Sequence, residues 1–334
     1  MRIKPNLLSL IYLFAFSLPF CAAGSAQAVP RLEQWLSPNL GQLKPSLRYE
    51  GSYYPASDLE NQKTDMGISL HELSGTMPLY QTKSDEIVLL AKAAYASIAT
   101  EAILPDSGRN FPGNFWNLNA ALSYRHSMGE GWLWGAMAGL GSPSNKPFHS
   151  SDEMDVNFTG FLRVPHGPRN AWLFLLNYTN NRDFLSGAPL PGLAYLYHPN
   201  HKFRMILGAP LFALKYDPTR NWTVSLYYMY PRNVDARLTW HAAHWLHFYI
   251  GFDWSNYRYY LADRSHRENR LFYFQKRGFI GSNVVLGGGL ILTLETGCSF
   301  DRLFFEGENY GDRHQERIDL ENSWLAAIRL GVKF

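Results

Sequence analysis

Hydrophobic and polar residues alternate with period two along nearly the whole chain beyond residue 44. Leu47, Tyr49, Gly51 and Tyr53 interleave with Arg48, Glu50 and Ser52, and Met66, Ile68 and Leu70 with Asp65, Ser69 and His71. Trp116, Leu118, Ala120, Leu122 and Tyr124 interleave with Asn117, Asn119, Ser123 and Arg125. Met154, Val156, Phe158 and Leu162 do so with Glu153, Asp155, Asn157 and Arg163. The same beat runs through Trp172 to Tyr178, Trp222 to Tyr228, Leu246 to Trp254 and Leu290 to Leu294, and again from Trp324 to Phe334. Successive side chains of an extended strand point to opposite faces, so this pattern predicts strands with one apolar and one polar face. Each stretch has roughly the nine to eleven residues that a tilted strand needs to cross a bilayer.

The connections alternate in length. Those near Gln81, Ser127, Pro165, His241 and Gly287 are short, whereas residues 100–113, 141–151, 181–190, 261–268 and 306–317 form long ones. In membrane barrels the short turns face the periplasm and the long loops face outward. Between residues 191 and 241 the count depends on Gly208-Ala209-Pro210 and Pro231-Arg232-Asn233. Proline interrupts a ladder but is tolerated at bulges, and six or seven residues are too few to span, so both read as bulges and the total as about fourteen strands. Twelve or sixteen stay open. The fold class is therefore all-β: a single transmembrane antiparallel up-and-down barrel over residues 44–334.

The final strand places Trp324, Ala326, Ile328, Leu330, Val332 and Phe334 on one face and Ser323, Arg329, Gly331 and Lys333 on the other. It resembles the closing strand of bacterial outer-membrane barrels, in which a terminal aromatic is read by the assembly machinery. That resemblance implies that Trp324, Ile328, Leu330, Val332 and Phe334 form the assembly signal. The run Pro189-Leu-Pro-Gly-Leu-Ala-Tyr195, then His198-Pro-Asn-His and Leu207-Gly-Ala-Pro210, resembles an uncharacterised, domain-of-unknown-function family of outer-membrane barrels from Gram-negative bacteria. It implies the fold and the location and brings no catalytic or ligand-binding residues.

Arg2 and Lys4, the apolar run from Leu7 to Phe20 and Ala26-Gln27-Ala28 read as a signal peptide over residues 1–28. Residues 29–43, with Trp35, Leu36, Leu40 and Leu43 between prolines, read as a periplasmic lead-in. Without the signal the formal charge falls from +3 to +1, which leaves no electrostatic footprint for nucleic acid. Cys298 is then the sole cysteine, so no intrachain disulfide forms. Aromatic residues make up 15% of the chain, as the interfacial girdles of a barrel require.

The polar face carries Arg48, Glu50, Asp65, Lys92, Arg125, Glu153, Asp155, Arg163, Lys215, Asp235, Arg237, Asp253, Glu295 and Arg329. Two readings follow: a hydrated lumen whose charges select a small solute, or charges that pair across strands and plug the interior. His241, His244 and His247 flank a tight turn and lack further ligands, so no metal is expected. Ser69 and His71 share one expected inward face but point in parallel about 7 Å apart, which gives no nucleophile and base for a lipid hydrolase. No cofactor site is expected either. The expected partners are outer-membrane lipid, the barrel assembly machinery and a small solute.

Overall fold

The computed structural model describes residues 35–182, 185–230, 233–264, 266–314 and 317–334. The expected signal peptide lies outside them. Among the described residues, seventeen strands form one antiparallel sheet. They are β1 (Ser46–Leu59), β2 (Gln62–Gln81), β3 (Asp85–Thr100), β4 (Asn114–Gly129), β5 (Trp132–Ser144), β6 (Asp155–His166), β7 (Asn170–Thr179), β8 (Leu190–Asn200) and β9 (Phe203–Ala209). The remainder are β10 (Leu211–Thr219), β11 (Trp222–Met229), β12 (Asn233–His241), β13 (Leu246–Tyr259), β14 (Arg270–Gly287), β15 (Leu290–Gly307), β16 (Arg317–Leu320) and β17 (Ser323–Lys333).

From β1 to β15 each strand pairs with its sequence neighbour, β17 pairs with β15, and β17 pairs back onto β1 from Ser46↔Lys333 to Tyr53↔Ala326, which closes the barrel. The short β16 lies in line with β17 between the same neighbours, β15 and β1. The wall therefore has sixteen staves, and the expectation of about fourteen is corrected. Both interruptions between residues 191 and 241 are chain reversals: β9 and β10 pair up to Phe212↔Leu207, and β11 and β12 up to Met229↔Asn233. Proline has no N–H for a ladder, so Pro210 sits at the reversal, where its carbonyl accepts from Tyr230 N at 3.0 Å.

Both ends of the barrel wall, Ser46 and Lys333, lie at one end of the cylinder, here the near end. Gly287, Gly288 and Gly289, with φ of 86°, 57° and 81°, make one near-end turn, a left-handed path that only glycine follows without strain. The wall is uneven in height. Strands β9 to β12 have seven to nine residues, whereas β14 and β15 have eighteen each. Above the low side the tall staves meet: Ser144 of β5 bridges Tyr260 in parallel, and Tyr260 N donates to Pro143 O at 2.7 Å.

The outer face carries an apolar band of residues such as Leu122, Phe174, Ile250, Ile280 and Leu294, all exposed. Trp132, Trp134, Trp172, Trp222 and Trp240 ring the near side of this band, and Tyr53, Trp116 and Trp324 mark its far side. Rings with an apolar body and a polar atom favour the two interfaces of a membrane. The interior is packed with side chains. One apolar cluster, including Tyr54, Met66, Ile68, Phe115, Tyr273 and Phe304, fills the tall side. A second, including Leu133, Leu173, Ile206, Leu211 and Met229, fills the low side.

Candidate functional site: the lumen

Period two puts Arg48, Glu50, Lys92, Arg125, Asp155, Arg163, Lys215, Asp235, Arg237, Asp253, Glu295 and Arg329 on strands whose alternate residues are exposed outward, so these charges face in. Two other expected charges lie elsewhere. Asp65 is exposed on the outer face, because on β2 the alternation inverts: Met66 and Ile68 fill the core of the tall side, and Asp65, Ser69 and His71 face out. Glu153 belongs to a one-turn 3-10 helix, Ser151–Glu153, in the far-end loop after β5. At the C-terminus Trp324, Ile328, Leu330 and Phe334 are exposed outward, and Val332 is half-exposed.

Arg48, Glu50, Lys92, Arg125, Asp235, Arg237, Asp253, Glu295 and Arg329 take part in ion pairs. Arg329 of β17 binds Glu295 of β15 through two hydrogen bonds of 2.9 and 3.0 Å and Glu50 of β1 at 3.0 Å. Arg48 joins Glu50 at 2.7 Å. On the other side, Arg237 of β12 reaches over β13 and β14 to lie 3.8 Å from Glu295, and also contacts Asp235 at 3.3 Å. Its guanidinium stacks 5.0 Å from the Tyr249 ring, whose hydroxyl donates to Glu295 at 3.0 Å. Gly281 makes the chord possible: the Tyr249 ring occupies the space beside it, 2.5 Å from where a Cβ would stand. Deeper in, Arg277 binds Asp253 and donates to Tyr54 at 3.2 Å. Such desolvated ions persist only when attraction and hydrogen bonds offset lost hydration, which this connected network supplies.

Sequence reasoning missed three of the partners, Glu72, Glu86 and Arg277. Glu72 holds Lys92 at 3.0 Å, Glu86 pairs with Arg125, and Arg277 pairs with Asp253. Glu72 and Lys92 come together through the β2–β3 register, and Glu86 and Arg125 are directly opposite across β3 and β4. Parity along each strand could have found the face, but the register that decides partners is not encoded in one strand.

At the near end, the segment from Trp35 to Leu43 enters the barrel. The Trp35 indole donates to Ser123 Oγ at 3.4 Å, its carbonyl accepts from Arg125 at 2.6 Å, and its ring lies 4.2 Å from that of Phe161. Gly41 N donates to Glu86 at 3.4 Å, and Leu43 exchanges two 3.0 Å hydrogen bonds with the Gln81 side chain. Trp35, Leu36 and Leu40 complete the low-side cluster, to which Ala194 and Ala213 contribute small inward side chains.

At the far end, arginines tie the loops together over the low side. Arg182 donates to the carbonyls of Leu185, Ala188 and Asn177. Arg270 donates to Asn180 O at 3.1 Å, to Ser186 Oγ at 3.0 Å and to Glu308 O at 2.8 Å. Arg264 and Arg270 lie 4.8 and 5.4 Å from the Tyr260 ring. Arg264 also meets Glu153 at 3.3 Å. Burial opposes ionisation of Glu153, but hydrogen bonds from Ser150 and the Arg264 charge outweigh it and hold the carboxyl below its ordinary range.

His241 and His247 face inward with their Nδ1 atoms 2.8 Å apart, and His241 Nε2 lies 2.9 Å from Thr223 Oγ1. Among the described residues no group of three or more His, Cys, Asp or Glu is arranged to hold a metal ion.

No family model matches the chain. No curated protein matches it. Among solved structures it is similar to an outer membrane channel from Pseudomonas putida F1, with 10% identity over 87% of this chain and 96% of that one, at a TM-score of 0.36. It is also similar to Pseudomonas aeruginosa OccK7 (OpdD), with 9% identity over 87% and 99% of the two chains and a TM-score of 0.40. The TodX monoaromatic hydrocarbon channel gives 9% identity, 89% and 91% coverage, and a TM-score of 0.40. At these scores the fold rests on the strand pairing described above.

Proposed function

We propose that this chain is an integral outer-membrane channel protein held shut at both ends of one lobe of its lumen. The apolar band between two aromatic girdles supports the membrane setting, with the near end in the periplasm and lipid and the assembly machinery as partners. In this reading Trp324, Ile328, Leu330, Val332 and Phe334 present the assembly signal. One observation carries the channel assignment: the low-side lobe is filled by Trp35, Leu36 and Leu40, which belong to no stave. Its far end is likewise covered by loops clamped by Arg182 and Arg270. Both closures can move without breaking the ladder. The tall side differs, because its core is built mainly from the staves themselves. A small solute would pass through the low-side lobe, along walls that include Ala194 and Ala213.

A second reading, a permanently filled structural barrel, is favoured by the pairing of the inward charges. Planar-bilayer recording of the refolded protein and of a W35A/R270A variant separates the two. The channel reading expects a silent wild type and a steadily conducting variant. A silent, correctly folded variant supports the filled barrel.

A further inference from the structure

Sixteen staves set in a circle enclose a wide lumen. Here two packed lobes fill the interior, so the wall is drawn in, and its outer face is hollowed from β11 round to β2. A cavity of about 1060 Å3 lies in this hollow, on the membrane side of the wall. Its floor is two neighbouring cross-strand rows. One passes from Trp222 and Trp240 through Ser282 and Leu294 to Gly51 and His71, each stave supplying the residue directly opposite the last. The other, one outward step toward the far end, passes from Leu238 through Thr296 and Ala326 to Tyr53. The middle staves thus carry small side chains where the ends carry rings. Thr296 Oγ1 donates to Leu325 O at 3.0 Å, which turns its polar atom to the backbone and leaves its methyl for the groove.

Staves stand about 4.8 Å apart, so eight of them make a groove about 35 Å long and, for its volume, about 30 Å2 in section. Because the strands tilt, the rows climb obliquely from the near girdle at Trp222 and Trp240 to the far girdle at Tyr53. At the far end the Tyr49 ring folds over Gly51 and its hydroxyl meets His71 Nδ1 at 2.9 Å, so the two rings stand across the groove with these polar atoms turned to each other. At the near end Arg220 is exposed in the turn two residues before Trp222, at the level of lipid headgroups. A void in the hydrocarbon would forgo contacts on every side, and a groove so long and thin suits a flexible chain better than the broad wall of a second barrel. We infer that this groove is a binding site for one phospholipid of the near leaflet, with an acyl chain lying over Ser282, Thr296 and Ala326 and its phosphate held by Arg220. The site rests on the membrane setting proposed above and not on conduction through the lumen.

Native mass spectrometry of the full mature chain refolded in detergent micelles tests it, with dioleoylphosphatidylglycerol as probe and dioleoylglycerol, which lacks the phosphate, as comparator. The wild type should retain one phosphatidylglycerol per chain. Ala326→Phe should lose about tenfold or more of that affinity, because a ring on the groove floor keeps two or more methylenes out. Ser282→Phe, in the neighbouring row, should act alike, and both side chains point away from the packed interior. Arg220→Gln should weaken retention severalfold, and the wild type should hold dioleoylglycerol correspondingly less well, since each change removes a charge-assisted hydrogen bond. Leu122→Phe, on the apolar band outside the groove, should bind as the wild type does. Equal retention by the wild type and both filled variants would overturn the assignment. So would a wild type that holds no lipid but forms dimers that Ala326→Phe disperses, which would make the groove a seat for a second copy. A wild type that folds into lipid vesicles yet retains no phosphatidylglycerol would strike this site alone and leave the membrane setting standing.

Discussion

Arg329 of the closing strand and Glu295 of its neighbour are joined by two hydrogen bonds of 2.9 and 3.0 Å, with both side chains buried. The pair links the seam of the barrel to Glu50 on one side and to Arg237 on the other. Replacing Arg329 by Met would leave Glu50 and Glu295 buried without their shared cation. The expected cost is about 3–5 kcal/mol in urea titrations of the refolded protein, since breaking a buried pair strands a charge. The double variant R329M/E295Q should cost less than the sum of its single changes.

The outward assignment of the apolar band gives a second test. Ile250 is 57% exposed on β13, midway between the near and far girdles. Ile250→Arg should destabilise folding into lipid vesicles by about 2–4 kcal/mol, as expected for a cation at the bilayer midplane. A neutral result would place Ile250 away from the hydrocarbon.

Gly281 carries the chord between Arg237 and Glu295. A valine there meets the Tyr249 ring, whose nearest atoms lie 2.5 Å from the new Cβ position, and so displaces the hydroxyl that Glu295 accepts. Gly281→Val is expected to cost about 1–3 kcal/mol, the usual penalty for overpacking. Unfolding midpoints of G281V and of G281V/Y249A check it, and the second variant should recover part of the loss.

Much of this arrangement was legible in the sequence, because period two fixes which residues share a face. Arg48, Glu50, Glu295 and Arg329 followed from that rule alone. It failed on β2, where apolar residues turn inward because the interior there is a packed core rather than water. It also miscounted staves, since β9 and β12 need not match the height of β14, and a proline at a reversal reads like one at a bulge. Ion partners and the seating of Trp35 depend on register and closure, which bring together residues as distant as Trp35 and Phe161.

The far-end cap should respond to pH through Glu153. Its carboxyl is held below the ordinary range, so its ionised contacts contribute stability that is full above the unfolded value and lost as pH falls through the folded one. Protection of amides in residues 145–154, corrected for intrinsic exchange, should therefore decline below about pH 4. In Glu153→Gln that decline should vanish, with lower protection already present at neutral pH. A pH-independent wild type would contradict the role given to Glu153.

The central claim is that a terminal segment and a loop clamp, not the staves, shut the low-side lobe. Single-channel recording of the wild type beside W35A/R270A tests it most directly. The account predicts long silent records for the wild type and a stable conductance for the double variant, with both melting cooperatively as barrels. Steady ohmic current through the wild type would contradict the closure, and silence from the folded double variant would contradict the path.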